Sequence, residues 1–307
     1  GFGLSIEERL GGSVHFFIYD TIKIFILLSV LIFAISYIQS YFPPEKTKKI
    51  LGGIKGIKGR ILGALLGTVT PFCSCSSIPI FIGFTSAGLP LGVTFSFLIS
   101  SPMVDLASFL LLVSFFGAKI AAAYVVMGLV LAVIGGTLID KLNMEKYIEG
   151  YVLAAQDVDL EPEELTRKER ISFAKGQVSD ITHRVWLYIL LGVGIGAVIH
   201  NWIPQAVIEK IIGGNNPFAV LLATAIGIPI YADIFGTIPI AEALVAKGVD
   251  VGTVLSFMMG VTTLSLPSMI MLSQVIKPKL LTIFISIVTV GIIIIGYTFN
   301  AFSYIIM

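Results

Sequence analysis

The first stretch of sequence that decides the fold is Thr70-Pro71-Phe72-Cys73-Ser74-Cys75-Ser76-Ser77-Ile78-Pro79. It places two prolines and a run of small polar residues in the middle of an apolar segment. Proline lacks a backbone donor and clashes with the preceding turn, so it interrupts a helix. Unpaired backbone groups are costly in hydrocarbon, so such a break is tolerated only where protein or water satisfies it.

A second break of the same kind is Gly227-Ile228-Pro229-Ile230-Tyr231-Ala232-Asp233-Ile234-Phe235-Gly236-Thr237-Ile238-Pro239. It again combines two prolines with polar side chains inside an apolar segment. Two interrupted hydrophobic segments in corresponding positions are typical of the binding sites of transporters. We therefore expect the two breaks to meet at one substrate site within the membrane.

The composition predicts an integral membrane protein. Of the 307 residues, 56% are hydrophobic and 13% are charged, whereas a soluble domain carries about 25% charged residues. We predict an all-α, multi-pass protein of the cell inner (plasma) membrane, with the lipid bilayer and a small-molecule or metalloid substrate as its partners. The net charge of +1 and the lack of a basic, aromatic-rich patch argue against a nucleic-acid partner. No G-x-x-x-x-G-K-[ST] loop for ATP occurs, and we expect neither a cofactor nor an enzymatic activity.

The chain contains an internal duplication, which is visible when position 78 is aligned with position 238 and this register is kept along the chain. In the window 78–97, 7 of 20 positions are identical to 238–257; they are Ile78, Pro79, Ile80, Gly88, Gly92, Ser96 and Phe97. Similarity at a fixed spacing predicts a repeated architecture. The predicted organisation is an N-terminal segment 1–14, a first transmembrane repeat 15–140, a polar linker 141–180 and a second transmembrane repeat 181–307.

The distribution of basic residues favours inverted repeats. If every apolar segment spans the membrane, 10 of the 20 Lys and Arg residues lie on the cytoplasmic side. If each broken segment is a re-entrant hairpin, 15 of 20 do, in the loop 46–60, in or beside the linker, and at Lys277 and Lys279. Cytoplasmic loops are enriched in Lys and Arg. We therefore predict two inverted repeats, each with three spanning helices and one broken, re-entrant helical hairpin. The basic loop 46–60 is interpreted as a topology signal.

Cys73 and Cys75 are the only cysteines, and both lie in the first break beside Ser74 and Ser76. Thiolates are soft ligands that suit soft metals and metalloids. Two thiols on irregular backbone can face one cavity and hold a trivalent arsenic or antimony centre, or a cuprous ion. The alternative is that both cysteines are small, buried and unreactive. We predict that these four residues bind substrate, and we expect no resident metal site.

Three acidic residues, Asp105, Asp233 and Glu242, lie in apolar segments. A charge at mid-bilayer is expensive, so such residues are candidates for function. A carboxylate with a raised pKa can take up a proton and couple it to substrate movement. The alternative is that they cap broken helix ends or bond to serines. Asp233 and Tyr231 are also predicted to contact substrate. Other hydroxyl residues are expected to line the same cavity: Thr237, Ser100, Ser101, Thr262 and Thr263.

The stretch 70–79, together with 229–231 and 238–241, resembles the predicted permease family that includes the ArsP methylarsenite exporters. The resemblance covers nearly the whole chain. It implies an inner-membrane permease and, in the characterised members, efflux of trivalent organoarsenicals through cysteine thiols. In this chain that role would fall to Cys73 and Cys75.

Together these observations predict a permease that exports a soft trivalent metalloid or organoarsenical by proton antiport, through paired thiols near the bilayer midplane. Two alternatives stay open. The same fold could transport a metal cation or a small sulfur compound, with Asp105, Asp233 and Glu242 as ligands. Alternatively, Cys73 and Cys75 could cycle between dithiol and disulfide in a membrane redox protein.

Overall fold

The computed structural model is helical in the part of the chain that it describes, apart from turns and one isolated β-bridge. It describes residues 56–69, 74–104, 106–150, 152, 166–202, 217–230 and 248–306, with scattered positions between 14 and 37 and between 237 and 245. The scattered positions are helical as well. The predicted all-α class is therefore confirmed for these residues.

Four helices follow one another in the first half: α1 (Ile57–Val69), α2 (Ser74–Ser86), α3 (Leu91–Met103) and α4 (Leu106–Lys141). Residues 74–79 of the first proline-containing break are part of α2, and residues 70–73 lie outside the described residues. Helix α4 consists of two helices joined at Gly117, whose φ of 82° and ψ of 161° are not helical. Glycine adopts positive φ without steric cost, so it permits this change of direction.

Five helices are described in the second half: α5 (Arg167–Trp202), α6 (Ala219–Gly227), α7 (Val251–Thr263), α8 (Leu266–Leu272) and α9 (Pro278–Ile306). Helix α6 ends where the second proline-containing break begins. Helix α5 is continuous across residues 180 and 181, where the sequence analysis divides the linker from the second repeat. The polar end of α5 therefore belongs to the same helix as the apolar segment that follows it.

The turns before α3 and α7 have the same hydrogen bonds at aligned positions of the two repeats. The N–H of Gly88 donates to Thr85 O at 3.0 Å, and the N–H of Gly248 donates to Val245 O at 2.9 Å. Both glycines have positive φ, 75° and 81°. Helices α3 and α7 also begin and end at aligned positions. The duplication in the sequence thus has a counterpart in local structure.

The residues that follow α4 pair with those that precede α9. The N–H of Lys277 donates to Tyr147 O at 2.7 Å, beside an antiparallel β-bridge between Ile148 and Ile276. The end of α4 and the start of α9 therefore lie at one end of the helix bundle. We call it the Lys277 end.

Helix α1 begins and helix α2 ends at this Lys277 end. Arg60, in the first turn of α1, forms an ion pair with Asp140 in the last turn of α4. Ser86, the last residue of α2, donates from Oγ to Val152 O at 2.9 Å. Helix α1 therefore begins at the end of the bundle at which α2 ends.

Helices α6 and α7 both begin at the opposite end. The hydroxyl of Tyr297 donates to Pro217 O at 2.6 Å, just before α6. Asn300 Nδ2 donates to Thr253 Oγ1 at 3.1 Å, in the first turn of α7. Lys277 and Asn300 are separated by most of α9, which places these two ends about 30–35 Å apart. We call the second one the Asn300 end.

Two of the described helices are long and apolar enough to cross a membrane, Leu112–Lys141 and Pro278–Phe302. Each buries one face and exposes an apolar opposite face. On α4, Val126 and Ile134 are 56% and 51% exposed, and on α9, Ile294 is 57% exposed. An exposed apolar face on a helix of this length is suited to contact with lipid.

Helices α3 and α7 lie in the centre of the bundle. Every residue of α7 is buried, and all of α3 except Val93. A helix that is buried on all sides belongs to the interior of a protein. At 13 residues each, they are about 20 Å long, shorter than the hydrocarbon core of about 30 Å. Both helices therefore end inside the bundle.

Candidate functional site

The inner ends of the two central helices define the candidate site. Helix α7 ends at Thr263, and α8 begins at Leu266. The N–H of Leu266 donates to Ile228 O at 2.9 Å, and Ile228 belongs to the second proline-containing break. This bond satisfies backbone groups that interrupted helices leave without partners. The second break therefore meets the junction of α7 and α8 inside the bundle.

The first break meets the inner end of α3 through a pair of serines. Ser77 Oγ lies 2.7 Å from Ser101 Oγ, and both side chains are fully buried. Ser77 lies near the start of α2, and Ser101 lies two residues before the end of α3. A hydroxyl–hydroxyl distance of this size is a hydrogen bond. It holds the start of α2 against the end of α3.

A small cavity of about 10 Å³ lies where these helix ends converge. Its lining includes Ile78 of α2, Pro102 of α3, Thr263 of α7, Ser268 of α8 and Phe284 of α9. A volume of about 10 Å³ accommodates roughly one water molecule or one oxygen-sized group. The cavity touches five helices from both halves of the chain.

Two hydroxyl groups give this cavity its polar character. Thr263 is 2% exposed, and its Oγ1 has no hydrogen-bond partner in the described part of the chain. Ser268 is 1% exposed, and its Oγ lies 2.7 Å from Ser265 Oγ. None of the described lining residues carries a charge. The described lining of the cavity therefore offers hydrogen-bonding groups and carries no charge.

The predicted thiol site lies at the start of α2. Ser74, Cys75 and Ser76 form the first turn of this helix, but the structure does not describe their side chains, and Cys73 lies outside the described residues. Position 75 is three residues before Ile78, which lines the cavity, so the two positions share one face of α2. Among the described residues, no group of three or more His, Cys, Asp or Glu side chains comes together.

Of the predicted acidic residues, only Glu242 belongs to the described part of the chain, where it is helical and exposed. Asp105 and Asp233, like Tyr231, lie outside the described residues. Asp105 directly precedes α4, as Ser265 directly precedes α8. Ser265 occupies the N-cap position of α8, where Asp and Ser are both favoured. Helix capping therefore stays open as an alternative role for Asp105.

Of the hydroxyl residues that were expected to line the substrate cavity, Thr263 lines the small cavity described here. Ser100 donates from Oγ to Phe97 O at 3.2 Å, and Ser101 pairs with Ser77. Thr262 instead donates from Oγ1 to Met258 O at 3.0 Å within its own helix. Ser268 was not predicted. The duplication could have indicated Ser268, because the aligned residue of the first repeat is also a serine, Ser108, and it is also buried.

Positive charge concentrates around Tyr147 at the Lys277 end. Lys146 Nζ and Lys279 Nζ lie 5.3 Å and 5.1 Å from the centre of its ring. The hydrogen bond with Lys279 lowers the pKa of Tyr147 from its ordinary value, as do the charges of Lys146 and Lys277. A positively charged end is typical of the cytoplasmic side of a membrane protein.

The apolar long helices, the fully buried central helices and the interrupted segments are features of a membrane protein of the transporter class. The model of the predicted-permease family ArsP_1 matches residues 9–301, so the chain belongs to this family of predicted permeases. UPF0718 protein MJ0584 of Methanocaldococcus jannaschii is 21% identical over 85% of each chain. UPF0718 protein YraQ of Escherichia coli is 23% identical over 85% of this chain and 73% of its own length. No solved structure matches the chain.

The family resemblance predicted from the motif is thereby confirmed. By its family, the protein is a membrane permease.

Proposed function

We propose that this permease moves its substrate through a site where two inverted, re-entrant hairpins meet inside the bundle. The observation that supports the proposal is the placement of four described helix ends. Helix α1 begins and α2 ends at the Lys277 end. Helices α6 and α7 begin at the Asn300 end. Inverted repeats of this kind place a binding site at the repeat interface and permit alternating access.

The proposed substrate is a soft, neutral trivalent metalloid species, such as an organoarsenical, held by Cys73 and Cys75. Three observations support this assignment. The chain belongs to the ArsP_1 permease family, its only two cysteines lie in the first break, and position 75 shares a helix face with Ile78 of the cavity. The described residues that line the cavity are uncharged, which suits a neutral cargo.

Export would be driven by proton antiport, with Asp105 and Asp233 as the groups that bind protons. Asp233 lies within the second break, and Asp105 follows Pro102 shortly after the first. Protonation of either carboxylate would change the charge next to the proposed substrate site. Glu242 is a third candidate, with an exposed side chain. In this proposal the Lys277 end faces the cytoplasm, because the lysines gather there.

Uptake of labelled methylarsenite into everted membrane vesicles tests the proposal. The expected result is accumulation that requires an imposed proton gradient and is lost in Cys73→Ser and in Cys75→Ser. Purified protein in liposomes then tests whether the single chain suffices. A control carries Val126→Cys, on the exposed face of α4, in the background that lacks both native cysteines. A thiol at that lipid-facing position should not restore transport.

Two outcomes would overturn the proposal in different ways. No accumulation by folded, inserted wild-type protein would remove the metalloid as cargo. Accumulation that persists in both serine variants would remove the thiols as ligands while keeping the metalloid.

A further inference from the structure

The side chain of Thr263 carries a buried hydroxyl and lines a small cavity. It is 2% exposed, and its Oγ1 has no partner in the described part of the chain. A buried polar group is normally paired, because leaving it unpaired has a substantial desolvation cost. The other described threonines on the central helices satisfy this rule. Thr94, for example, donates to Leu91 O at 3.0 Å. Thr263 therefore stands apart from a residue of the same type in an equivalent setting.

The cavity beside Thr263 has the size and chemistry of a subsite for one oxygen. Its volume of about 10 Å³ admits roughly one oxygen-sized group rather than a whole substrate. Its lining also includes Ser268, whose hydroxyl is bonded to Ser265 at 2.7 Å. A serine hydroxyl has one donor and two acceptor positions, so a hydroxyl that already makes one hydrogen bond can make others. Two hydroxyls can therefore bind one neutral oxygen between them.

The placement of this cavity connects it with the first break. Ile78 lines it and lies one helical turn from position 75 on the same face of α2. Leu98 and Pro102 complete the wall on the side of α3. A group bound at the start of α2 would thus have this cavity next to it, inside the bundle and on the side of α7 and α8.

We propose that Thr263 and Ser268 form a hydroxyl subsite that receives one neutral hydroxyl oxygen of the transported species. The subsite makes the permease selective for cargo that carries an un-ionised hydroxyl group. Methylarsenite has this chemistry, since its trivalent arsenic bears neutral hydroxyls. The proposal rests on the proposed function, of which it specifies one specificity-determining contact. Removal of the Thr263 hydroxyl should weaken binding without weakening the fold, because that hydroxyl bonds to nothing in the described part of the chain.

The test compares methylarsenite uptake and thermal unfolding in four proteins. Thr263→Val keeps the shape of the side chain and removes the hydroxyl, whereas Thr263→Ser keeps the hydroxyl. Thr94→Val is the matched control, since its hydroxyl bonds within its own helix and it does not line the cavity. We expect Thr263→Val to raise KM about three- to tenfold, as the loss of one neutral hydrogen bond predicts. We expect Thr263→Ser and Thr94→Val to keep the wild-type KM.

The unfolding midpoint separates this role from a structural one. Thr263→Val should unfold at or above the wild-type temperature. If it unfolds earlier, Thr263→Ala and Thr263→Ser replace it, because these two differ only in the hydroxyl. A wild-type KM in Thr263→Val, or in Thr263→Ala where that pair is used, would overturn the subsite and leave the proposed function standing. A wild-type protein that moves no methylarsenite would overturn both proposals. The wild-type measurement alone distinguishes this outcome from failure of the subsite.

Discussion

Arg60 in the first turn of α1 forms an ion pair with Asp140 in the last turn of α4, far along the chain. The guanidinium also donates to Thr137 Oγ1 at 3.2 Å. On the other side, Asp140 Oδ1 accepts from the backbone N–H of Gly92 at 3.3 Å. One carboxylate thereby joins α1, α3 and α4 at the Lys277 end. Arg60 is the last residue of the basic loop 46–60, which was interpreted as a topology signal. It therefore also has a structural role.

Separating this ion pair should destabilise the first half of the protein. The side chains of Arg60 and Asp140 are 12% and 34% exposed, so either one alone would be a partly buried charge without a partner. We expect Arg60→Val or Asp140→Asn to lower the free energy of unfolding by about 1–2 kcal/mol. The double variant Arg60→Val/Asp140→Asn carries the residues found at the aligned positions of the second half, Val220 and Asn300. We expect it to recover most of the stability that each single variant loses. Thermal unfolding in detergent measures each variant, with the exposed Lys58→Gln as control, and strictly additive losses would contradict the coupling.

The close approach of α7 to α9 depends on Gly252. A Cβ at this position would lie 2.1 Å from Gly296 O and 2.4 Å from Asn300 Oδ1. The carbonyl belongs to the backbone of α9 and cannot move away as a side chain can. We expect Gly252→Ala to destabilise the protein by about 2–3 kcal/mol. The control is Gly176→Ala in α5, where nothing lies within 4 Å, and which should stabilise its helix by about 0.5–1 kcal/mol. A Gly252→Ala protein as stable as wild type would show that the two helices can separate.

The repeated features of the fold could be predicted from the sequence because they depend on residues close together in the chain. Gly88 aligns with Gly248 in the duplication, and both form the same turn with positive φ. The two breaks were predicted from prolines and small residues inside apolar segments. Hydroxyls near those breaks, such as Thr263, were predicted to line a cavity for the same reason.

Other features depend on contacts between distant parts of the chain, and no local pattern signals them. The bridge between Ile148 and Ile276 joins segments from different halves of the chain, and neither segment resembles a strand. The interruption of α4 at Gly117 lies in an apolar stretch without proline. The ion pair of Arg60 requires the packing register of α1 against α4. The pairing of Ser265 with Ser268 could have been proposed from their spacing, since residues three apart in a helix are neighbours.

The start of α5 should depend on pH through Glu169. Its carboxylate accepts from Thr166 N–H at 2.7 Å and from Thr166 Oγ1 at 2.8 Å. These bonds, the backbone one foremost, lower the pKa of Glu169 from its ordinary 4.5. The stabilisation is therefore complete above pH 4.5 and is lost as the pH falls through the lowered pKa. Carbon NMR of the labelled carboxyl group should give a pKa below that of an unfolded chain. Thr166→Ala should raise it, and Thr166→Ser, which keeps the hydroxyl, should not; equal values in all three would contradict the capping contact.

The sidedness of the turns at Ala87 and Asp250 distinguishes re-entrant hairpins from segments that span the membrane. Single cysteines in a cysteine-free background at Lys58, Ala87, Lys119 and Asp250 can be labelled with a membrane-impermeant reagent. If the hairpins re-enter, positions 58 and 87 react from one side, and 119 and 250 react from the other, because α2 returns to the end where α1 begins. If the broken segments span, 58 and 87 react from opposite sides, because the chain crosses the membrane once between them. Labelling of 87 and 250 from the same side would therefore remove the inverted arrangement, and with it the argument that the two breaks meet at a shared site.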